Sequence, residues 1–532
     1  MATLKPLAIP IMTGGVAIVA FLVYLATLTP TVFWGDSAEL TTSAFFLGIP
    51  HPTGYPLYSL LGKAFISAVP LGDVGYRMNL LSAVFGALTI GVLFLALYSI
   101  TRNILIAAAV ALVFAFSYRF WRLSIVAEVY TLHTLLMASF LLFCIQWLIT
   151  AQRKYLYLAC LIFGISLAHH GMTILLFPAL VFCMAVFMRN TRQLRLLPIF
   201  ALLMLAGLPL YAYLPIRHSQ AAVFDIAALI DADLTQPASL LHYIGGSIFR
   251  DQITALSIQR VYSQLGGVLA AVVADYLIIG ALLAYLGAAM HYKSNPKLFL
   301  FCLTIIIPNL AFLSAYPVPD IEDFAVVATL STAPWLALGV ATVVSKLSHL
   351  AGRWPQTFDS WSKTAKLHPG LLLFALPIPV LISNYGYLDY SKNYSAAVYA
   401  REVLASLPPN AVLLFQFPAA PLWYGQLVEG RRPDVTLVDR TFGYLKERAI
   451  LRDLPREEVI HKVNQELLDR YAERPKFVIS YDPSIAGGWQ FEDFGLVYKL
   501  SRKDAPRSRG YQTDILVKAS SLIIASPWMG LA

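Results

Sequence analysis

Charge is scarce in this sequence. Asp, Glu, Lys and Arg make up 13% of its 532 residues, whereas apolar residues make up 58%. A soluble domain typically carries about 25% charged residues, so this shortage excludes an ordinary soluble protein. The long uncharged runs predict a polytopic membrane protein of mainly α class.

Cysteine is also scarce, and the polar C-terminal part lacks common motifs for phosphate binding and for nucleophilic catalysis. The four cysteines lie in apolar stretches, at spacings that indicate neither a metal site nor a disulfide framework. The polar C-terminal part has no glycine-rich phosphate loop and no nucleophile elbow. The net charge of +9 comes from basic residues scattered between hydrophobic segments, a pattern that argues against a nucleic-acid partner.

Apolar runs of roughly bilayer length recur through residues 1–388. They predict about eleven transmembrane helices, near residues 9–28, 80–101, 103–117, 130–150, 155–169, 172–188, 196–214, 270–290, 298–315, 324–345 and 369–388. With the N-terminus inside, the inner segments hold thirteen Lys and Arg residues and the longer outer loops hold seven. Because cytoplasmic loops are rich in Lys and Arg, this predicts a cytoplasmic N-terminus in a multi-pass inner or plasma membrane protein, or in the ER membrane of a eukaryote.

Residues 389–532 are richer in charge and predict a second domain. Strand-like runs at 411–415, 435–438 and 477–480, with a charged helical stretch at 456–474, indicate a small α/β domain. An odd number of spans places it on the non-cytoplasmic side. The predicted division is therefore a transmembrane module at 1–388 and an external α/β domain at 389–532.

Acidic residues cluster in the predicted outer loops. Asp36 and Glu39 follow the first span and, three residues apart on a helix, share a face. Glu128 lies at the start of a later span, and Asp320 lies in another outer loop. A purely structural interpretation makes Asp36 a helix cap or first-turn acid.

Aromatic and basic side chains accompany these acids. His51 and Tyr55 lie in a turn rich in Pro and Gly, and Tyr130 follows Glu128. Arginine suits phosphate because its planar group binds two oxygens, and ionisable groups at membrane depth are functional candidates. The candidates for an anion are Arg217, Arg122, His169 and His170. Interfacial anchoring of the arginines and a hinge at the histidine pair are the structural alternatives.

Several short motifs occur in a definite order: GDSAEL, HPTGYPLY, AEVYTLH, SLAHHGMT, YLPIR and PLWYGQLVEGRRPDV. Together, over most of residues 30–440, they resemble a bacterial membrane family related to the animal transmembrane O-mannosyltransferase that acts on receptor ectodomains. The resemblance implies the GT-C glycosyltransferase fold, with an active site on the non-cytoplasmic side and a polyprenyl-phosphate sugar donor.

The resemblance also implies roles for individual residues. Asp36 would be the catalytic base of an inverting transfer, with Glu39 as its neighbour and Glu128 as a second acid. Arg217, Arg122, His169 and His170 would bind the donor phosphate. The outer-loop sequences themselves add His51, Tyr55, Tyr130 and Asp320 as candidate substrate-loop residues. Gln416, Phe417 and Pro418 stand where relatives often carry a polar Asp or Asn, which argues against a ligand role for the external domain.

The sequence leaves several points open. The sugar is undetermined, with mannose as one option, and the acceptor hydroxyl can belong to a protein, a glycan or a lipid. A divalent cation, Mg²⁺ or Mn²⁺, suits carboxylate and phosphate oxygens, but no metal-specific spacing assigns it. The rival class is a transporter or lipid flippase, in which acids and histidines would line a path. A third interpretation is a membrane scaffold that presents the external domain.

Overall fold

The structure is a computed structural model that describes residues 5–188, 191–249, 257–316, 321–351, 373, 375–451, 454–485 and 488–503. The α-helices up to residue 187 are α1 (Lys5–Thr27), α2 (Asp36–Phe46), α3 (Pro56–Ala68), α4 (Val74–Thr101), α5 (Ile104–Ala115), α6 (Tyr118–Ser124), α7 (Tyr130–Thr150), α8 (Arg153–Leu167) and α9 (Phe177–Phe187). Those that follow, up to residue 388, are α10 (Leu197–Met204), α11 (Tyr213–Ser219), α12 (Ile226–Leu229), α13 (Pro237–Ile244), α14 (Ile258–Ser294), α15 (Pro296–Ala315), α16 (Ile321–Phe324), α17 (Val326–Ala351) and α18 (Pro377–Leu388).

Seven helical segments of the described chain are long and apolar enough to cross a membrane. They are Leu7–Thr27, Val74–Thr101, Tyr130–Thr150, Leu194–Ser219, Ile258–Ser294, Pro296–Ala315 and Val326–Leu347. An eighth would be α5 with α6, which are bent by 70° at their junction. The polytopic helical architecture predicted from the sequence is therefore confirmed.

The remaining predicted spans correspond to shorter helices. Residues 155–169 fall on α8, which has 15 residues, and residues 172–188 fall on a 3₁₀ turn followed by α9. Of the last predicted span, 369–388, 12 residues lie in α18, and residues 369–372 and 374 lie outside the described residues. The difference arises because an apolar run fixes hydrophobicity but not the length of unbroken helix, and a span needs about 20 helical residues when it runs straight.

A buried ion pair ties the helices of the bundle together. Arg119 of α6 lies 3.1 Å from the Asp275 carboxylate of α14, and Thr329 of α17 donates to the other oxygen of Asp275 at 2.8 Å. A buried charge is costly unless it is paired, so these contacts give Asp275 a structural role. They also fix α6, and with it the segment that leads to Glu128.

Within the described residues, an α/β domain follows α18. It contains α19 (Ser395–Ser406), β1 (Val412–Phe415), α20 (Pro421–Trp423), β2 (Thr436–Asp439), α21 (Arg440–Ile450), α22 (Arg456–Arg470), β3 (Lys476–Val478), β4 (Trp489–Phe494) and β5 (Val497–Arg502). The sheet order is β2-β1-β3-β5-β4, with β1 parallel to β2 and β3 and the last pairs antiparallel. The three strands and the helix predicted from the sequence are confirmed, whereas β4 and β5 were not predicted.

The α/β domain packs directly on the loop and helix that follow α1. Val32 and Ala38 are buried in the same hydrophobic cluster as Leu413 and Trp423 of the domain. The backbone N–H of Gly35 donates to the Pro418 carbonyl at 3.2 Å. The domain therefore sits over the start of α2, where Asp36 lies.

Candidate active site

Helix α2 starts at Asp36 because Gly35 allows the chain to turn there. Gly35 has φ 58° and ψ −132°, a left-handed φ that glycine adopts without a Cβ clash. Gly35 occupies the N-cap, so Asp36 and Glu39 are first-turn acids rather than caps. Carboxylates in the first turn are favoured by the helix dipole. This stabilisation agrees with the structural interpretation of Asp36 and leaves a catalytic role open.

Two hydrogen bonds join Glu39 and His51 in this site. Glu39 is fully buried, and its Oε1 accepts the backbone N–H of His51 at 2.6 Å while Oε2 accepts the ring Nδ1–H at 2.7 Å. The hydroxyl of Tyr55 lies 3.1 Å from His51 Nε2. Tyr55 itself has φ 38°, an uncommon conformation for a bulky residue that orients its ring at the start of α3. The turn between α2 and α3 thus holds the imidazole at both nitrogens.

Asp36 lies against this pair. Ligand atoms of Asp36, Glu39 and His51 all lie within 4.8 Å of one another, a spacing that a single metal ion can bridge. The donor set of two carboxylates and an imidazole fits a divalent cation. Both Glu39 oxygens already accept hydrogen bonds from His51. A cation would therefore have to bind a Glu39 oxygen alongside one of these hydrogen bonds or displace it.

Glu128 is not among the three clustered ligand residues found in the part of the chain that the structure describes. It is buried, and its backbone N–H donates to the Ser82 hydroxyl at 3.2 Å. Its carboxylate lies near Tyr58 of α3, where burial raises the pKa of the phenol and the charge of Glu128 raises it further. The group of possible metal ligands therefore contains His51 and not Glu128 as the partner of Asp36 and Glu39.

Three histidines form a second layer next to Tyr55. The His170 ring lies 5.8 Å from Tyr55, 5.6 Å from Tyr130 and 4.8 Å from His133, centroid to centroid. His169 Nε2 lies 2.9 Å from the Val129 carbonyl, so this residue also fixes the loop after Glu128. His133 is absent from the candidates that the sequence analysis selected. The signal for it was its position three residues after Tyr130, on the same helical face.

The predicted phosphate-binding arginines have other partners. Arg217 donates to the carbonyls of Phe46 and Leu47 at the C-terminal end of α2, at 3.2 and 2.7 Å, and to Gln220 at 2.6 Å. Arg122 forms an ion pair with Asp323. Asp320, predicted as a substrate-loop residue, lies outside the described residues.

The α/β domain contributes two loops next to the cluster. Phe417, just after β1, packs edge-to-face on His51 with ring centroids 6.2 Å apart. Its backbone N–H donates to the Thr441 hydroxyl at 2.9 Å, which joins it to the segment that follows β2. Burial raises the pKa of Asp439, at the end of β2, to about 7. The nearby Glu39 carboxylate raises this pKa further, whereas hydrogen bonds from Thr441 and Phe442 lower it.

The class of the fold follows from comparison with solved structures. The chain superimposes on ArnT from Cupriavidus metallidurans bound to undecaprenyl phosphate with a TM-score of 0.55, covering 91% of this chain and 97% of that chain at 13% identity. A helical membrane module with an α/β domain packed over the segment that follows α1 is thus the GT-C fold.

Sequence comparison gives more particular relatives. A family model described as protein O-mannosyl-transferase TMEM260 N-terminal domain matches residues 36–195. The chain is 28% identical over 459 residues to protein O-mannosyl-transferase TMEM260 of Mus musculus, covering 80% of this chain and 62% of the relative. It is 23% identical over 461 residues to the Dictyostelium discoideum protein of the same description, covering 78% and 55%. The resemblance read from the motifs is confirmed, and the chain spans less than two thirds of each relative.

Proposed function

We propose that this protein is a membrane glycosyltransferase that transfers a sugar from a polyprenyl-phosphate donor to an acceptor hydroxyl, with Asp36 as general base. The observation that carries the proposal is the cluster of Asp36, Glu39 and His51 under the α/β domain. The similarity to O-mannosyl-transferases and the GT-C fold support it, and the description of the sequence relatives as O-mannosyl-transferases supports mannose as the sugar.

The reaction needs one proton acceptor and stabilisation of a leaving phosphate. The Asp36 carboxylate takes the proton of the acceptor hydroxyl as that oxygen attacks the anomeric carbon of the sugar. The bond between this carbon and the phosphate oxygen breaks, with inversion, and polyprenyl phosphate departs. A positioned base contributes about 10²- to 10⁴-fold to such a step.

Glu39 supports Asp36 by fixing His51. A fully buried carboxylate that accepts two hydrogen bonds from one residue holds that residue in a single orientation. His51 and Tyr55 then form one wall of the substrate site. A divalent cation held by Asp36, Glu39 and His51 would neutralise negative charge on the donor phosphate.

The phosphate lies, in this proposal, near the histidine layer. His169 and His170 both lie beside Tyr55, His170 also packs against Tyr130, and Arg122, which is paired with Asp323, lies at the same end of the bundle. A neutral imidazole can donate its one N–H to a departing phosphate oxygen, and a guanidinium adds positive charge. Arg217 is less suited to this role because its donors are engaged by backbone carbonyls and Gln220.

The site faces the non-cytoplasmic side in this proposal. The positive-inside distribution of Lys and Arg supports an outer position for the loop between α1 and α4 and for the α/β domain packed on it. The acceptor therefore belongs to the cell envelope or the ER lumen and not to the cytosol.

Transfer of a labelled sugar tests the function. Purified protein in nanodiscs would be given polyprenyl-phosphate [¹⁴C]mannose together with envelope proteins, glycans and lipids of the source as acceptors. We expect label to become covalently attached to envelope material and polyprenyl phosphate to be released. Movement of intact donor across proteoliposomes, with no cleavage of the sugar bond, would instead identify a transporter.

A further inference from the structure

The parallel part of the external sheet directs its carboxyl ends toward the membrane module. Strand β2 lies on one side of β1 and β3 lies on the other. The chain therefore runs from β1 to β2 on one side and then crosses to β3 on the opposite side. In open parallel sheets, ligands bind outside the carboxyl ends of the strands at such a switch point. Here the loops that leave this edge are those of Phe417 and Asp439.

Both loops reach the catalytic cluster. After β1, the Pro418 carbonyl accepts the N–H of Gly35, which precedes Asp36, and Phe417 contacts His51. After β2, Asp439 is close enough to Glu39 for the two carboxylates to repel each other. The two loops are joined to each other by the hydrogen bond from Phe417 to Thr441.

The two oxygens of Asp439 have different surroundings. Oδ1 caps α21 and accepts the N–H groups of Thr441 and Phe442 at 2.6 and 3.4 Å. Oδ2 is buried and meets no hydrogen-bond donor among the described residues. A buried carboxylate oxygen without a donor is costly, so its retention beside a catalytic cluster points to a ligand that supplies the donor.

We infer that Asp439 binds a hydroxyl group of the substrate, so that the external domain forms part of the active site. This inference rests on the proposed function. Polyhydroxylated sugars provide the required donor, since each hydroxyl can donate to a carboxylate while its oxygen accepts from another group. The hydroxyl belongs either to the donor sugar or to the acceptor. Asp439 would thus give the external domain a ligand role, whereas the sequence argued against such a role.

Replacing Asp439 with serine distinguishes the capping role of Oδ1 from the binding role of Oδ2. Asp439→Ser retains a side chain that caps α21 well, and it removes Oδ2. Asp434→Ser is the matched control, because Asp434 lies just before β2, at the opposite end of the strand, and pairs with Arg432 at 2.8 Å. Thermal melting of both variants would establish that each is folded.

Binding measurements decide between the two sources of the hydroxyl. Polyprenyl-phosphate mannose and polyprenyl phosphate alone would be titrated against the full-length protein and both variants in nanodiscs. If the hydroxyl belongs to the donor sugar, Asp439→Ser weakens binding of the mannose donor by about 10- to 100-fold and leaves polyprenyl phosphate unchanged. If it belongs to the acceptor, donor binding is unchanged and the KM for the acceptor rises by a similar factor. Asp434→Ser changes none of these values.

Two outcomes would count against different statements. A folded Asp439→Ser protein with unchanged donor binding and unchanged acceptor KM overturns the inference. Native protein that binds the mannose donor but never cleaves it overturns the proposed transferase function. In that case the comparison of donor binding still tests whether Asp439 contacts the sugar.

Discussion

Glu39 and His51 are joined twice, once through the backbone N–H of His51 and once through its ring, at 2.6 and 2.7 Å. Twelve residues separate them in the chain, and the turn between α2 and α3 brings them together. Because Glu39 is fully buried, this double contact holds the imidazole in place beside Asp36. The contact thereby links the local geometry of the segment between α1 and α4 to the proposed chemistry.

The pair should act as a unit. Glu39→Gln removes the charge and presents an amide donor to a ring N–H, so turnover should fall by about 10- to 100-fold and the melting temperature should drop. His51→Ala should have a similar effect. In a double-mutant cycle the effects should be far from additive, since each single change already breaks the contact. Additive losses in kcat would show that Glu39 and His51 act independently.

Asp439 should make stability depend on pH. Its folded-state pKa is raised from the ordinary value of 3.8 to about 7, so the unfolded chain releases this proton at lower pH than the folded protein. Stability from this group is therefore present at low pH and is lost as pH rises from about 4 to about 7. Asp439→Asn keeps the cap and cannot ionise, so its melting temperature should exceed that of the native protein near pH 7.5.

The size and control of this effect follow from the same linkage. The gain should be on the order of 1–3 kcal/mol at pH 7.5 and should vanish near pH 4. Asp434→Asn should give no such gain, because hydrogen bonds from Arg432 hold the pKa of Asp434 below its ordinary value. A pH-independent difference between Asp439→Asn and the native protein would contradict the assigned environment.

Arg217 should matter more for stability than for donor binding. Arg217→Ala leaves the Phe46 and Leu47 carbonyls without their donor, and we expect a loss of about 1–3 kcal/mol. Lysine should restore only part of it because it lacks the planar fork. Exposed Arg260 serves as the control, with an expected change to Ala of less than about 0.5 kcal/mol. A raised donor KM in an Arg217→Ala protein of native stability would restore the predicted phosphate-binding role.

The orientation can be tested with introduced cysteines. The native cysteines are all buried, so background labelling should be low. Leu71→Cys and Tyr481→Cys replace side chains that are 54% and 59% exposed on the predicted outer side. Both should react with an impermeant thiol reagent in intact cells, whereas Gln152→Cys, between α7 and α8, should react only after permeabilisation. Labelling of Gln152→Cys in intact cells would show that the predicted orientation is inverted.

Hydrophobicity and local patterning predicted the architecture well. Apolar runs placed the long helices, and alternating or apolar short runs placed β1, β2 and β3 within a residue or two. The strands β4 and β5 were missed because their burial is mixed and their composition is polar. The number of full spans differed because breaks such as the 70° bend between α5 and α6 are set by packing and not by composition.

The site could be predicted only in part, for a related reason. Asp36, Glu39, His51 and Tyr55 are near neighbours in sequence, and their motifs identified them. The contact of His51 with Phe417 joins residues far apart in the chain, which no local pattern reveals. The same holds for Asp439 near Glu39 and for Arg217 at the end of α2.

The most direct test of the account is the turnover of an Asp36→Asn protein with polyprenyl-phosphate mannose. Asparagine keeps the size of the side chain and most of its hydrogen bonds but cannot take the proton. Asp73→Asn is the control in the same segment between α1 and α4, since Asp73 caps α4 and asparagine caps equally well. With Asp36 as the general base, Asp36→Asn should lower kcat by about 10²- to 10⁴-fold while donor binding and melting temperature stay close to native, and Asp73→Asn should retain transfer. A folded Asp36→Asn protein with near-native kcat would contradict it.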